Sequence, residues 1–398
     1  MSAVTPFRRS AEATTETVRA PLLGIDPLLT LAVLGLAGFS VLTLHGAVST
    51  TFYEHQAIFA VVGLLLMFTI SRFDYTYLRR FRHVFYGIVV FLNILVFAWH
   101  TQTSPANGAA SRWIPLPFFQ FQPSEFGKVL MILALSGFMV ERSRRMYERR
   151  TTALIMLLAL IPAMIVIKQP DLGTGLVYVI VALAVLFFAG TNWKQLTALA
   201  TLFLVAIVLV ATVAPAVGVN VLQSYQKQRL TTFLNPPATC GIHDATCYQL
   251  NQSLIAIGSG GKTGRGTAGA TQAQLNFIPN DQDDFIFSVV GETYGFAGAA
   301  LVLSLYALLI WRTLRILTMS KNLFGTLIAG GILAMLMFQV FLNVGMTVGI
   351  MPVTGVPLPL FSYGGSSMLI TFMAIGLLQS VYAQARIASA GKARVSIA

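Results

Sequence analysis

Apolar segments of about 20 residues recur along the whole chain, and no other feature limits the possible folds as strongly. A helix of about that length crosses the hydrocarbon core of a bilayer. We predict ten such segments, at 27–46, 53–71, 83–99, 124–141, 152–167, 173–190, 196–216, 285–311, 323–346 and 362–385. Because only 10% of the 398 residues are charged and 56% are hydrophobic, a soluble domain is excluded. The pattern predicts an all-α, polytopic membrane protein with about ten transmembrane helices.

The basic residues lie mainly in alternate connections between these segments. The chain has 26 Lys and Arg against 14 Asp and Glu, and most of the basic residues face one side, Arg312, Arg315 and Lys321 among them. By the positive-inside rule that side is cytoplasmic. Both termini are then cytoplasmic, and the long 217–284 loop lies outside. The positive charge therefore indicates orientation and contact with anionic membrane lipids, not nucleic acid.

We predict one membrane domain, at 26–386, between two short cytoplasmic tails. Residues 1–25 lack the apolar core and cleavage site of a signal peptide and are expected to be a disordered tail. Residues 387–398 form the second tail. Both cysteines, Cys240 and Cys247, fall in the exported loop, where a disulfide is favoured. Two free thiols remain the alternative.

The stretch 258–298 carries the densest polar chemistry of the chain. Four of the 14 acidic residues lie between Asp281 and Glu292, immediately before and within an apolar helix. An acid placed where a loop enters lipid is costly, so this position suggests function. Upstream, six glycines are interleaved with Lys262 and Arg265. Their N–H groups and cations could surround a phosphate, although a flexible linker explains the glycines equally well.

Three other outer connections place charged or hydroxyl residues at the membrane edge. Pro123 is suited to the first turn of a helix, where Glu125 favours the helix dipole and can pair with Lys128. This pair either closes a helix end or contacts a substrate. In the turn 168–175, Asp171 can cap the next helix. Beside it, Lys168 could help to hold an anionic headgroup or serve only the turn.

The segment 351–367 cannot be a continuous helix, because it contains three prolines and Gly355. Irregular backbone at membrane depth is tolerated only where it is buried in protein or lines a wet cavity. Ser362, Tyr363 and Ser366 would supply hydroxyl groups there. The sequence contains no HExxH, CxxC or GxSxG motif, so neither these metal signatures nor a serine hydrolase is indicated.

Six blocks of the chain resemble the SEDS family (shape, elongation, division and sporulation proteins, typified by RodA and FtsW). They are RWIPLPFFQFQPSEFGK (112–128), KQPDLGTG (168–175), YQKQRLTTFLNP (225–236), QSLIAIGSGGKTGRG (252–266), FIPNDQDDFIFSVVGETYGFAG (277–298) and MPVTGVPLPLFSYGGSS (351–367). The resemblance extends from about residue 25 to residue 385. The form MPVTGVPLP is similar to the elongation-type branch typified by RodA.

The resemblance implies a peptidoglycan glycosyltransferase that polymerises lipid II at the outer face of the bacterial cytoplasmic membrane during cell elongation. The family's essential acid matches Asp284, the expected catalytic base. Around it the chain departs from the family pattern, with Asn280, Gln282 and Asp283 in place of Glu, His and Thr, and Thr293 in place of a second Glu. The implied partner is a class B penicillin-binding transpeptidase. No cofactor is certain, but a divalent cation such as Mg²⁺ or Mn²⁺ could bridge the acids and a diphosphate.

Patterns and resemblance together give a set of candidate substrate-binding residues: Arg112, Trp113, Glu125, Lys128, Lys168, Asp171, Lys262, Arg265, Asp283, Glu292, Ser362, Tyr363 and Ser366. Two functions from other classes remain open. One is a lipid II flippase, since broken helices and intramembrane charges also fit transport. The other is a noncatalytic scaffold of a cell-wall complex, which would not need Asp284.

Overall fold

The computed structural model describes residues 24–47, 50–103, 113–115, 120–209, 229, 232–233, 245–275, 277–278 and 282–395. Its α-helices are α1 Pro27–Ala47, α2 Thr50–Ser71, α3 Arg82–Thr103, α4 Pro123–Glu141, α5 Arg149–Lys168, α6 Leu172–Phe188, α7 Trp193–Val208, α8 Ala245–Gly260, α9 Thr271–Gln274, α10 Ile286–Met319, α11 Leu323–Thr347 and α12 Gly365–Val395. Short 3₁₀ helices occupy Tyr75–Phe81, Ser143–Arg145 and Thr267–Gly269. Strand β1 (Ile114–Pro115) pairs antiparallel with β2 (Gln120–Phe121).

The described helices confirm the class of all-α, multi-pass membrane protein. Eight of them are long and apolar enough to cross a bilayer, and α6 and α7 are shorter apolar helices. The predicted total of ten spans stays a prediction, because the segment expected at 196–216 continues beyond the part of α7 that the structure describes. Residues 1–23 and most of the 217–244 segment also lie outside the described residues.

Three helices form the centre of the bundle. The apolar windows of α4, α11 and α12 are 83%, 72% and 89% buried inside the protein, whereas those of α2 and α3 are only 28% and 17% buried. Because α2 and α3 expose apolar side chains on much of their surface, they are suited to face lipid. Polar side chains on the central helices are thus shielded from lipid, and their contacts define the interior of the protein.

The irregular segment 351–364 is buried between helices, and side chains from four of them satisfy its backbone. The Tyr306 hydroxyl of α10 donates to Pro359 O (2.6 Å), and the Asn343 amide of α11 donates to Val356 O (2.8 Å). On the other side, Ser40 Oγ of α1 donates to Phe361 O, and Gln56 Nε2 of α2 donates to Ser362 O. Unpaired buried carbonyls are costly, so these side chains are what allows a non-helical segment here.

Helix α10 is broken near its outer end. Gly295 has φ 63° and ψ −157°, a backbone conformation that side chains other than glycine's strongly disfavour. The glycine-rich turn 261–266 fills the break: Gly261 O and Lys262 O accept hydrogen bonds from Phe296 N and Ala297 N, at 2.9 and 3.1 Å. The turn and the helix are therefore joined as one unit, directly after the acidic segment.

The cytoplasmic end of α10 corrects one sequence prediction. The predicted span ends at 311 and leaves Arg312 in a cytoplasmic connection, but the helix continues to Met319 and Arg312 is buried. Its Nε lies 3.0 Å from Asp26 Oδ2, and the Asp26 backbone N–H donates to Gln379 Oε1. A buried charge needs a hydrogen-bonded partner, and Asp26, directly before α1, supplies it. Arg312 therefore ties α10 to the start of α1.

Candidate functional site

Asp284 lies in the turn immediately before α10, at the point where the chain enters the bundle. Phe285 is the helix N-cap residue, so the Asp284 carboxylate lies near the positive end of the helix dipole, which favours a negative charge. The Asp284 backbone carbonyl accepts a hydrogen bond of 2.9 Å from Asn343 Nδ2. The position of the predicted base is thus set by α11 as well as by its own helix.

The Asp284 carboxylate faces Gly355 across a small space. A Cβ added to Gly355, which has φ 72°, would lie 3.4 Å from Asp284 Oδ2 and 3.8 Å from Arg229 Nη1. A carboxylate and a guanidinium therefore approach the same point on segment 351–364. Arg229 was not among the residues that we selected from the sequence. The only signal that could have found it is its place in the motif block 225–236.

The neighbouring acid has different surroundings. Asp283 lies close to Tyr363: burial raises the pKa of the Tyr363 hydroxyl, and the negative charge of Asp283 raises it further. The Tyr363 backbone N–H also donates to Gln282 O (2.9 Å). Asp283 and Asp284 are both partly exposed, but they border different groups. This difference separates the two acids, which the sequence alone left adjacent and ambiguous.

A second group of polar residues lies where α4 and α6 begin. Glu125 Oε2 and Lys128 Nζ are 2.6 Å apart, and each side chain is only 2% exposed. The predicted ion pair is therefore present. Glu125 Oε1 is buried, and none of the residues described provides it with a hydrogen-bond partner. The geometry leaves an acceptor available for a bound hydroxyl group or water molecule.

Asp171 completes this second group. Its Oδ1 accepts from Thr174 N, as the predicted cap of α6, and its Oδ2 accepts from Gln122 Nε2 and Ser124 Oγ, each at 3.1 Å. Because Asp171 has two neutral donors on Oδ2 and a helix N-terminus at Oδ1, its charge is stabilised without a cation. The acid thereby holds the starts of α4 and α6 together.

Segment 351–364 connects the two groups. A Cβ on Gly173, in the first turn of α6, would lie 3.1 Å from Thr354 O and 2.2 Å from Val356 Cγ2. Because Gly173 has no side chain, Thr354 and Val356 of the segment can pack directly on α6. Gly355 thus faces the Asp284 carboxylate, while its neighbours Thr354 and Val356 lie against the first turn of α6, the helix that Asp171 caps. Together the two groups form the candidate site.

Two of the predicted hydroxyl residues make bonds inside the protein. Ser362 Oγ accepts from Leu358 N (2.8 Å). Ser366 Oγ accepts from Gln122 N (3.0 Å) and donates to Gln120 O (2.7 Å). Both serines are at most 2% exposed, so they shape the walls of the site. Tyr363 is half-buried beside Asp283 and is the more accessible of these three hydroxyl residues.

The glycine-rich turn does not have the structure of a phosphate-binding loop, as the sequence had suggested it could. The N–H groups of Gly264, Arg265 and Gly266 donate to backbone carbonyls, two of them on α10. They are therefore not directed at a ligand. The side chains of Lys262 and Arg265 are exposed, although Arg265 Nε also donates to Ser259 O. Any contact of this turn with an anion depends on those two side chains.

Glu292 has an internal role. Its carboxylate is fully buried and accepts hydrogen bonds from the backbone N–H groups of Gln272 (2.9 Å) and Ala273 (3.2 Å). These donors belong to the first turn of α9, where a carboxylate satisfies N–H groups that lack helical partners. Glu292 thus fastens the segment after the glycine-rich turn to α10.

The remaining candidates lie at the edge of the site or outside the described residues. Trp113 is 38% exposed, just before β1, and Lys168 is exposed at the end of α5. Arg112 and Asp281 lie outside the described residues. Cys247 is disulfide-bonded, and Cys240, the other cysteine of the sequence, also falls outside them. Among the residues described, no group of three or more His, Cys, Asp or Glu could hold a metal ion.

Comparisons with known proteins relate the chain to one family over nearly its whole length. The family described as cell cycle protein, with the members FtsW, RodA and SpoVE in its name, matches residues 23–387. The chain is 34% identical to peptidoglycan glycosyltransferase MrdB of Escherichia coli K12 over 370 residues, covering 92% of this chain and 95% of the relative.

Two solved structures have the same fold. One is a chain of a peptidoglycan synthase complex, described for its structural coordination of polymerization and crosslinking. It aligns with a TM-score of 0.75 at 31% identity, and the alignment covers 91% of this chain and 99% of that chain. The rod shape determining protein RodA of Thermus thermophilus aligns with a TM-score of 0.65 at 28% identity, covering 91% and 97%. With nearly its whole length matched, the chain belongs to the SEDS family of cell cycle proteins that includes FtsW, RodA and SpoVE.

Proposed function

We propose that this chain is a peptidoglycan glycosyltransferase that polymerises lipid II during cell elongation, at the outer face of the bacterial cytoplasmic membrane, with Asp284 as the general base. Family membership and the name of the MrdB relative support the reaction class. The single observation that carries the proposal for the site is the placement of the Asp284 carboxylate over Gly355, beside the Arg229 guanidinium.

The reaction needs one base and one group of cations. Asp284 Oδ2 takes the proton of the acceptor sugar's 4-hydroxyl while that oxygen attacks the anomeric carbon of the donor sugar. The bond from this carbon to the lipid diphosphate breaks, and the electron pair leaves with the diphosphate. A single displacement of this kind inverts the α-linked donor to a β-linked strand. A second carboxylate acting as nucleophile is therefore unnecessary.

Arg229 is the best-placed cation for the departing diphosphate, because its guanidinium lies at the same small space as Asp284. Arginine and phosphate oxygens form paired, charge-assisted hydrogen bonds. Lys262 and Arg265 are exposed on the glycine-rich turn and are proposed to contact a headgroup. The group around Glu125, Lys128 and Asp171 would bind sugar hydroxyls, since Glu125 Oε1 is a buried acceptor without a partner among the described residues and the Lys128 ammonium has more N–H groups than its pair with Glu125 uses.

We include a divalent cation at this site in the proposal. Asp283 and Asp284 could supply one or two oxygen ligands, and a substrate diphosphate the others, which is a common way to bind Mg²⁺. The ion would neutralise charge on the leaving group. We also propose a class B penicillin-binding transpeptidase as partner, supported by the likeness to a chain from a peptidoglycan synthase complex.

The test is polymerisation of lipid II by the purified chain, alone and with a transpeptidase of this class. We expect glycan polymer, and more of it in the presence of the partner. Undiminished polymer in excess EDTA would remove the divalent cation from the proposal. If no polymer forms in any arm while the folded chain moves labelled lipid II across vesicle membranes, the protein is a flippase. If the chain shows neither polymerisation nor transport, the noncatalytic scaffold is the function that remains.

A further inference from the structure

Asn343 connects the two chain segments that face each other at the candidate site. It is fully buried, one turn before the end of α11. Its Nδ2 donates to the backbone carbonyls of both Asp284 (2.9 Å) and Val356 (2.8 Å). The first acceptor belongs to the residue proposed as the base, and the second to the residue after Gly355. One side-chain amide thus holds the opposite sides of the space between Asp284 and Gly355.

The chemistry of the two acceptors fixes the orientation of this amide. Only the NH₂ group of asparagine can donate two hydrogen bonds, and its oxygen would repel two carbonyl oxygens. Asn343 Oδ1 is consequently directed away from both carbonyls. It is buried, and it has no hydrogen-bond partner among the residues described. Asparagine at this position therefore leaves one acceptor unsatisfied, a cost that needs a compensating role.

We propose that Asn343 is a positioning residue of the transfer reaction, which fixes the separation between the Asp284 carboxylate and segment 351–364. This inference rests on the proposed glycosyltransferase function. Asn343 binds backbone atoms of both segments, so it acts through Asp284 and has no need to touch the substrate. Without it, the turn 282–285 and segment 351–364 would lose the link nearest to the Asp284 carboxylate and Gly355, whereas the bond from Tyr363 N to Gln282 O, at the end of the segment, would remain.

A base acts only within hydrogen-bond reach of its proton, and a displacement of about 1 Å can lower a rate by about 100-fold. Loss of Asn343 should therefore reduce kcat much more than it changes KM for lipid II, because the groups proposed to bind the sugars lie on α4 and α6. A residue that only stabilises the fold would instead lower the amount of active protein and leave the kcat of the folded fraction unchanged.

The experiment compares Asn343→Leu with Gln56→Leu in lipid II polymerisation, with kcat and KM corrected for the folded fraction and with the thermal unfolding midpoint recorded. Gln56 is the matched control: its amide is also fully buried, and its Nε2 also donates twice, to Ser40 Oγ and to Ser362 O at the far end of the same segment. We expect kcat to fall by about 100-fold in Asn343→Leu and KM to stay near that of the wild type. In Gln56→Leu, stability should fall while kcat stays within a few-fold of the wild-type value.

Equal losses of kcat in the two variants, or a wild-type kcat in Asn343→Leu, would overturn the proposal. If Asn343→Leu does not fold, Asn343→Ser, which removes the amide without adding bulk, takes its place with the same expected split between kcat and KM. Two outcomes distinguish a failure of the proposed function from a failure of the positioning role. A wild-type chain that makes no polymer contradicts the glycosyltransferase function itself, whereas an active wild type with an equally active Asn343 variant contradicts only the positioning role.

Discussion

Replacing Asp284 with asparagine is expected to lower the rate of lipid II polymerisation by at least about 100-fold, the usual contribution of a general base. Asparagine has almost the same size and shape as aspartate, so the turn before α10 should keep its structure. The bond between the Asp284 carbonyl and Asn343 is made by the backbone and survives the change. What disappears is the ability to accept the proton of the attacking hydroxyl.

The matched control for this change is Asp283→Asn, which removes the same charge one residue away. Asp283 borders Tyr363 and is proposed only as one of several oxygen ligands of a divalent cation, not as the base, so its loss should lower polymerisation by much less than Asp284→Asn does. Both variants need a thermal unfolding midpoint near that of the wild type for the comparison to be valid. If Asp283→Asn is the inactive variant and Asp284→Asn polymerises normally, the two acids exchange roles and our assignment of the base is wrong.

Local chemistry at helix ends could be predicted from the sequence. Pro123 lies in the first turn of α4, Glu125 pairs with Lys128 three residues later, and Asp171 caps α6. In each case the interacting groups are at most three or four residues apart, so the geometry of a helix end determines the contact. The multi-pass class was equally predictable, since the length of a bilayer-spanning helix is fixed by the membrane.

Contacts between distant segments could not be predicted in the same way. The sequence separates Asp284 from Asn343 and Gly355 by 59 and 71 positions, and nothing in their composition indicates that they meet. A buried asparagine in an apolar helix reads as a polar interruption until its two acceptors are known. Arg229 was similarly inconspicuous, because an arginine in an outer loop is most simply interpreted as solvated.

The glycine-rich turn shows why composition alone does not determine what a run of glycines does. Glycines interleaved with cations fit a phosphate-binding loop, a flexible linker or a close approach of two backbones. Only the structure distinguishes these, because a Cβ on Gly260 would lie 1.9 Å from Gly291 O, and one on Gly264 would lie 2.2 Å from Thr293 O. The absent side chains make room for α10. The glycines therefore serve the packing of the segment that carries Asp284.

This role leads to the second large expected effect, from the substitution Gly295→Ala. The methyl group would lie 2.3 Å from Gly264 N and 2.8 Å from Thr263 N, at a residue whose φ is 63°. Backbone atoms cannot rotate away as a flexible side chain can, so the turn must move away from α10. We expect the free energy of unfolding to fall by roughly 3–5 kcal/mol. About 1–3 kcal/mol comes from backbone strain, and about 1 kcal/mol comes from each of the two hydrogen bonds that Phe296 N and Ala297 N donate to the turn.

Gly258→Ala provides the control, because it adds the same methyl group to a glycine that lies shortly before the glycine-rich turn. Gly258 lies in α8, and no atom lies within 4 Å of a Cβ placed there. Alanine favours a helix over glycine by up to about 1 kcal/mol, so its unfolding midpoint should equal or slightly exceed that of the wild type. The Gly295→Ala midpoint should fall well below both. Since Asp284 lies in the turn directly before α10, the fraction of Gly295→Ala that stays folded should polymerise lipid II more slowly. Equal midpoints in the two variants would mean that the turn and the broken helix are not held together as the hydrogen bonds indicate. A lower midpoint with an unchanged rate would mean that their joint packing stabilises the fold without positioning the base.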